Sequence, residues 1–163
     1  MREHIERDVL LNSKYIIAYF KKKDASITHL MLQKLLYFLE ALYMVSEDED
    51  YLFNDDFYAW NFGPVNDIVY SEYKIFGKLP LELYDEDENI KINPINERFI
   101  DNLYEMFKDF NSYDLVSLSH AKGSPWNEIY EKFGLDIPED IKIDKIKTKE
   151  WFNSLVRKVP NEE

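Results

Sequence analysis

The spacing of apolar side chains predicts two helices in the first third of the chain. Apolar residues fall on one face of a helix predicted over 8–22, and three lysines suit its carboxyl end. Thr28 is a favourable N-cap for a second helix, predicted over 29–46. The second helix is apolar nearly all round, which is typical of the central helix of a bundle. The helix has few polar side chains, which we expect to reach solvent: Gln33, Lys34 and Glu40.

A short extended segment separates these helices from a third. The aromatic string Phe57-Tyr58-Ala59-Trp60-Asn61-Phe62 favours a pleated environment. Gly63-Pro64 then breaks the chain, and Pro64 is expected at the first position of a third helix that ends at Gly77. A second short strand is predicted at Ile90-Lys91-Ile92, where apolar and polar residues alternate.

The remaining pattern is again helical. A fourth helix is predicted over 94–110, and Ser112 is expected to cap a fifth that ends near His120. A sixth has the clearest signals, with Ser124 as N-cap, Pro125 at its first position and Gly134 at its end. An irregular or extended link over 137–146 leads to a last helix over 148–159, and we expect 160–163 to fray.

These elements predict a mainly α fold, α+β at most. We expect residues 1–163 to form one compact domain of six to seven helices with a short extended or hairpin element. The hydrophobic share of 45% supports a real core, and four glycines and six prolines leave few breaks for a many-turned β-sandwich.

Composition excludes several classes of function. Without cysteine the chain has no disulfide, thiolate zinc site or cysteine nucleophile. The net charge of -12 makes direct binding to nucleic acid unexpected, because no surplus of lysine and arginine is present to neutralise phosphates. The apolar stretch in the second helix is too short for a membrane span, and the first residues lack an apolar signal core. We therefore expect a cytoplasmic protein with no membrane contact.

A search for catalytic chemistry is mostly negative. The glycines cannot form a phosphate-binding loop, and the three histidines share no metal-ligand spacing. The best enzymatic candidate pairs His120 with Ser124, but Ser124 has a stronger role as a helix cap. We expect no enzyme activity, cofactor or metal.

One segment is a candidate surface for a partner. Acidic residues surround two aromatic side chains there, and the set is Asp48, Glu49, Asp50, Tyr51, Phe53, Asp55 and Asp56. Tyr51 and Phe53 are expected to be exposed, and the negative charge would suit a basic groove. The alternative is an ordinary solvated loop, as for a second acidic run at 85–88. Lys34 is expected either to extend its ammonium to the surface or to pair with a carboxylate.

Three separated strings together resemble the Panacea (SocA-like) antitoxin domain family, with the match running from about residue 28 to 130. The first is Leu32-Gln33-Lys34-Leu35-Leu36-Tyr37-Phe38, and the second runs from Phe57 through Trp60, Gly63 and Pro64 to Tyr70 and Tyr73. The third contains Leu118-Ser119-His120 and Gly123-Ser124-Pro125-Trp126. The motif residues expected to serve the fold rather than an interface are Gln33, Lys34, Tyr37, Trp60, Gly63, Pro64, Tyr70, His120, Ser124, Pro125 and Trp126.

This resemblance implies an antitoxin without catalysis. Members neutralise a cognate protein toxin by direct contact, and the resemblance also allows an adaptor that delivers the toxin to a cytoplasmic protease. A basic toxin would complement the acidic segments.

Two other functions stay open at this point. The first is a phage or mobile-element anti-defence protein whose acidic surface imitates nucleic acid. The second is an enzyme that depends on His120 and Ser124. The sequence leaves open the identity of the toxin, the interface residues and the oligomeric state.

Overall fold

The computed structural model describes residues 4–157 and shows a mainly helical domain in this range. Its helices are α1 (Val9–Lys22), α2 (His29–Glu47), α3 (Asp67–Tyr73), α4 (Pro94–Phe107), α5 (Ser112–Ser119), α6 (Pro125–Phe133) and α7 (Lys145–Arg157). A small hairpin of β1 (Tyr58–Trp60) and β2 (Gly63–Val65) lies between α2 and α3. Two short 3₁₀ turns, Lys74–Phe76 and Asp85–Asp87, complete the described elements.

Helix α2 is the centre of the fold, as its nearly continuous apolar surface predicts. It packs against α1, α3, α4, α5, α7 and strand β2. Its side chains Leu32, Leu35, Leu36 and Phe38 are completely buried in the core. Thr28 caps the helix by accepting a hydrogen bond from the backbone of Met31, as predicted.

The hairpin corrects the expected role of Pro64. Pro64 lies in β2 opposite Ala59, and α3 begins at Asp67 with Asn66 as its N-cap. The Ala59 amide donates to the carbonyl of Ile141, on the side of β1 away from Pro64. Pro64 therefore occupies a register position that needs no amide hydrogen, which is why a proline fits in this strand.

The link before α7 forms a third extended segment on the hairpin. Ile143 donates its amide to the carbonyl of Phe57, and Tyr58 and Lys142 form an isolated antiparallel bridge. The predicted extended link is thus confirmed, although α7 begins at Lys145, three residues before the predicted position.

Two smaller expectations are wrong. Residues 90–92 form no strand, because no extended neighbour pairs with them; Ile90 and Ile92 simply pack against the core. Helix α5 is capped by Asn111 rather than Ser112, in a capping box with Asp114 that satisfies two backbone amides.

The end of α4 is three residues earlier than predicted, at Phe107. The predicted end of the last helix at Val159 and the fraying of 160–163 lie outside the described residues. Within residues 4–157, no helix combines the length and apolar character needed to cross a membrane.

Candidate functional site

The first two sequence motifs meet at strand β2 and the residue that follows it. Gln33 and Lys34 project from α2 toward this segment. The Oε1 of Gln33 accepts from the Asn66 amide at 2.8 Å, and its Nε2 donates to the Asn66 carbonyl at 3.2 Å. The ammonium of Lys34 donates to the Pro64 carbonyl at 2.8 Å. Helix α2 therefore fixes the hairpin and the start of α3 through side chains that satisfy buried backbone groups.

The third motif closes on the same hairpin from the other side. Trp126 donates its indole N–H to the Trp60 carbonyl at 2.6 Å. The imidazole of His120 stacks on the Trp126 ring, with 3.5 Å between centroids and 5° between planes. Tyr70 packs edge-on against Trp60, with 5.0 Å between ring centroids. All three motifs thus contribute to one cluster.

Gly63 is required where these elements meet. Its φ is +103°, a conformation that side chains disfavour. A β-carbon there would lie 2.6 Å from the Ser119 hydroxyl and 3.1 Å from Cε of Lys34. The same position is 3.6 Å from Nε2 of His120. Glycine thus lets the hairpin approach α2 and the end of α5 closely.

The ammonium of Lys34 is the most unusual group in the cluster. The side chain is completely buried, and among the described residues no carboxylate oxygen lies within 4.0 Å of its nitrogen. Burial lowers the pKa of Lys34 to about 7. Both expectations for this residue are wrong, since it neither reaches the surface nor pairs with a carboxylate.

The other two polar residues of α2 that were expected to reach solvent, Gln33 and Glu40, are buried as well. Gln33 is engaged with Asn66, as described above. Glu40 accepts from the amides of Leu52 and Phe53 and forms an ion pair with Lys145 at 2.7 Å. The polar side chains of α2 are therefore buried and bind groups of the neighbouring segments. The spacing of residues along a helix does not distinguish this role from exposure to solvent.

Two neutral histidines flank Lys34. Burial, and then the nearby Lys34 charge, lower the pKa of His29 and that of His120 to about 4. The Nε2 of His29 lies 3.0 Å from the Gln33 amide nitrogen, which donates to it when the imidazole is neutral. The Nε2 of His120 is buried and has no hydrogen-bond partner within the described part of the chain.

The hydroxyl of Ser124 is occupied by helix capping. It donates to the Ser119 carbonyl at 2.9 Å and accepts from the Asn127 amide at 3.1 Å. Pro125 occupies the first turn of α6, as predicted. These bonds fit the structural interpretation of the Ser124 motif. Across residues 4–157, no three histidine or carboxylate side chains are grouped so that they could hold a metal ion.

A cavity of about 440 Å³ opens beside this cluster. Gln33, Lys34 and His29 form part of its wall, together with Trp60 and Val65. Its rim carries three exposed apolar side chains, namely Phe62, Tyr70 and Leu135, which are 63%, 39% and 80% exposed.

Sequence reasoning missed Phe62 and Leu135 as site residues. Phe62 belongs to the aromatic string, but its exposure depends on the turn between β1 and β2. Leu135 follows Gly134 at the end of α6, where the sequence has no signal for its approach to the hairpin.

The motif residue Tyr37 connects other parts of the fold. Its hydroxyl shares a hydrogen bond with Thr148 of α7 at 2.9 Å, and its ring packs edge-on against Phe57. Tyr37 therefore joins α2 to α7 and to the residue that precedes β1.

The acidic segment 48–56 is held against the body of the protein. Lys149 of α7 pairs with Asp48 at 2.7 Å and with Asp50 at 3.9 Å. Lys142 pairs with Asp56 at 3.3 Å. Part of the negative charge expected to meet a partner is thus offset within the chain.

The two aromatic residues of this segment have different environments. Tyr51 is exposed as expected, and the Arg7 guanidinium lies over its ring at 4.9 Å. Phe53 is completely buried, so its expected exposure is wrong. Its amide is bound by Glu40, which turns the segment inward. Asp55 is half-buried, and this burial raises the pKa of its carboxyl group. Glu49 is exposed.

Comparison with known proteins identifies the family. The family described as "Antitoxin SocA-like, Panacea domain" matches residues 32–127, a range that holds all three motifs. Antitoxin SocA of Caulobacter vibrioides (strain NA1000 / CB15N) is 30% identical over 135 residues, covering 76% of this chain and 71% of the relative. No solved structure matches significantly. The chain therefore belongs to the SocA-like Panacea domain family.

Proposed function

We propose that this protein is an antitoxin that neutralises a cognate protein toxin by binding it directly in the cytoplasm. Membership of the SocA-like Panacea family carries the proposal, because the matched region contains the whole hairpin cluster. The relative that shares 30% identity bears the name Antitoxin SocA. The toxin is expected to be encoded beside this chain.

The geometry of the cluster supports binding rather than catalysis. The Ser124 hydroxyl is committed to the cap of α6, and His120 stacks flat on Trp126. A serine nucleophile needs a base within hydrogen-bond reach and a free hydroxyl. These contacts instead build a rigid scaffold that presents the apolar rim of the cavity.

The internal ion pairs argue against the nucleic-acid mimic. A mimic requires a continuous surface of free negative charge, whereas Lys149 and Lys142 offset three carboxylates of the acidic segment. This pairing supports the antitoxin over the anti-defence alternative.

Co-production with the protein encoded beside this chain tests the proposal. Growth should be restored when both are made, and the purified pair should form a stable complex. Purified antitoxin alone should inhibit the toxin stoichiometrically, which separates direct neutralisation from delivery to a protease. Rescue that occurs only with an active cytoplasmic protease would establish the adaptor mechanism instead. Absence of both rescue and complex would refute the proposal.

A further inference from the structure

A polar junction of three residues, His29, Gln33 and Asn66, joins the start of α2 to the start of α3. Gln33 follows His29 by one helical turn, so both side chains lie on the same face of α2. The Oε1 of Gln33 accepts from the Asn66 amide at 2.8 Å, and its Nε2 donates to the Asn66 carbonyl at 3.2 Å. Asn66 is completely buried and is the N-cap of α3. Because a buried amide or carbonyl that loses its partner costs free energy, the junction depends on both bonds.

The two bonds to Asn66 determine which way the Gln33 amide faces. A backbone amide can only donate and a carbonyl can only accept, so the oxygen of Gln33 must face the first and its nitrogen the second. The amide nitrogen has one further hydrogen, and it lies 3.0 Å from Nε2 of His29. Nε2 of His29 must therefore accept this hydrogen bond, which places the proton of the neutral imidazole on Nδ1.

A second proton on His29 is incompatible with these bonds. It would place an N–H of the imidazole against an N–H of Gln33. Flipping the Gln33 amide removes that conflict, but it turns the oxygen toward the Asn66 carbonyl and the nitrogen toward the Asn66 amide. We propose that the junction is an acid-sensitive latch, in which a proton on Nε2 of His29 breaks both bonds between Gln33 and Asn66 and frees the start of α3 from α2. The hairpin turn carries Phe62 and α3 carries Tyr70, so release of the latch lets two sides of the cavity rim move apart.

The surroundings of His29 keep the latch closed near pH 7. His29 lines the cavity and is 8% exposed, so a proton from solvent can reach it. The ionisable groups that face it are Lys34 on its own helix, Tyr70 and Tyr73 on α3, and Glu139 in the wall of the same cavity. Burial, and then the charge of Lys34, lower the pKa of His29 to about 4. His29 is also the first residue of α2, where the helix dipole disfavours positive charge.

Hydrogen exchange of single amides at pH 7 and pH 5 tests the latch. The amides to follow are those of Asn66, which donates to Gln33, and of Val69, which donates to the Asn66 side chain. Below the ordinary histidine pKa of 6.5, the open junction binds a proton that the closed junction does not, so opening becomes more favourable as the pH falls. After correction for the intrinsic exchange rate, protection of both amides should fall about 20-fold from pH 7 to pH 5 through His29 alone. The amide of Leu103, in the buried part of α4, is the reference and should keep its protection.

Two variants assign the effect to its group. His29→Gln offers a side-chain oxygen that can accept from Gln33 and that binds no proton in this range, so the 20-fold contribution should be absent. Lys34 and His120 are common to the parent and this variant, and their contributions cancel in the comparison. Glu139→Gln removes the carboxylate in the cavity wall and should keep the full effect. Circular dichroism at both pH values checks that each variant is folded.

Three results would overturn the inference. The first is the same pH dependence at Asn66 in the parent and in folded His29→Gln, and the second is its loss in Glu139→Gln. The third is an equal loss of protection at Leu103, which would show unfolding of the whole domain instead of a local release. If His29→Gln does not fold, nitrogen NMR of the parent imidazole at pH 7 decides the matter. An unprotonated Nε2 with a protonated Nδ1 is expected for His29, and the opposite tautomer would overturn the latch.

Discussion

Replacing Lys34 by methionine removes a buried ammonium and keeps a side chain of similar length. In the folded protein, burial lowers the pKa of Lys34 from 10.5 to about 7. Between these two pH values, the unfolded chain binds a proton that the folded chain has largely released. The free energy of unfolding of the parent must therefore rise with pH in this range, relative to that of the variant.

The magnitude follows from the two pKa values. One pH unit corresponds to about 1.4 kcal/mol where only the unfolded state is protonated. From pH 7 to pH 9 the contribution of Lys34 should become more favourable by about 2 kcal/mol, because the group is half-protonated in the folded protein at pH 7.

The variant has a compensating cost. At pH 7 it avoids a charge penalty of about 4 kcal/mol, but it leaves the Pro64 carbonyl unpaired, at a cost of about 1–3 kcal/mol. Lys34→Met should therefore be more stable than the parent at pH 7, and this advantage should shrink or reverse by pH 9.

Urea unfolding at pH 7, 8 and 9 measures the difference directly. Groups other than Lys34 are common to both proteins, so subtracting the variant from the parent isolates the lysine. A difference that stays constant over this pH range would show that the ammonium is not buried without a counterion. A carboxylate that compensates the ammonium would give this constant difference, because a raised pKa keeps the lysine protonated in both the folded and the unfolded state up to pH 9.

Three further predictions concern the same framework. Lys145→Met should lower the free energy of unfolding by about 3–5 kcal/mol, because it leaves the Glu40 carboxylate buried and unpaired; urea unfolding that shows no loss would contradict this. Gly63→Ala should lower the free energy of unfolding by about 1–3 kcal/mol more than Gly77→Ala does. A β-carbon at Gly63 would lie 2.6 Å from a buried hydroxyl, whereas the space at Gly77 is open. Equal urea unfolding midpoints for the two variants would refute the close approach at Gly63. The pKa of His120 is lowered to about 4 by burial and then by a neighbouring charge, so the unfolded state binds more protons between pH 6.5 and 4. Stability should fall as the pH falls through this range, and His120→Gln should reduce that fall; an unchanged acid transition would show that the histidine is solvated.

Much of the helical framework follows from the sequence. The apolar period of α2 identifies the central helix, and Thr28 and Ser124 mark two helix starts by their capping chemistry. The prediction for Pro64 is wrong because proline is favoured in two places. It suits the first turn of a helix, and it also suits a strand position whose amide makes no hydrogen bond in the sheet. Only the pairing of β1 with Ile141, which is distant in sequence, selects between these two roles.

The site is less predictable than the framework. The sequence strings identify the motif residues, but the chain alone does not show that Lys34 points at a backbone carbonyl rather than at solvent or a carboxylate. The exposure of Phe62 and Leu135 depends on how the hairpin and the end of α6 meet. Likewise, the acidic segment is offset by Lys149 of α7, which is 101 residues from Asp48 in sequence, and by Lys142, which precedes α7. Local patterns carry no information about such long-range pairings.

Site-specific photo-crosslinking measures most directly whether the toxin sits on the hairpin surface. A benzophenone amino acid placed at position 62 should give a covalent adduct with the protein encoded beside this chain, at the summed mass of the two. The same amino acid at position 113, on α5, should give none. Adducts at position 113 with none at position 62, in a pair that still neutralises, would contradict the account.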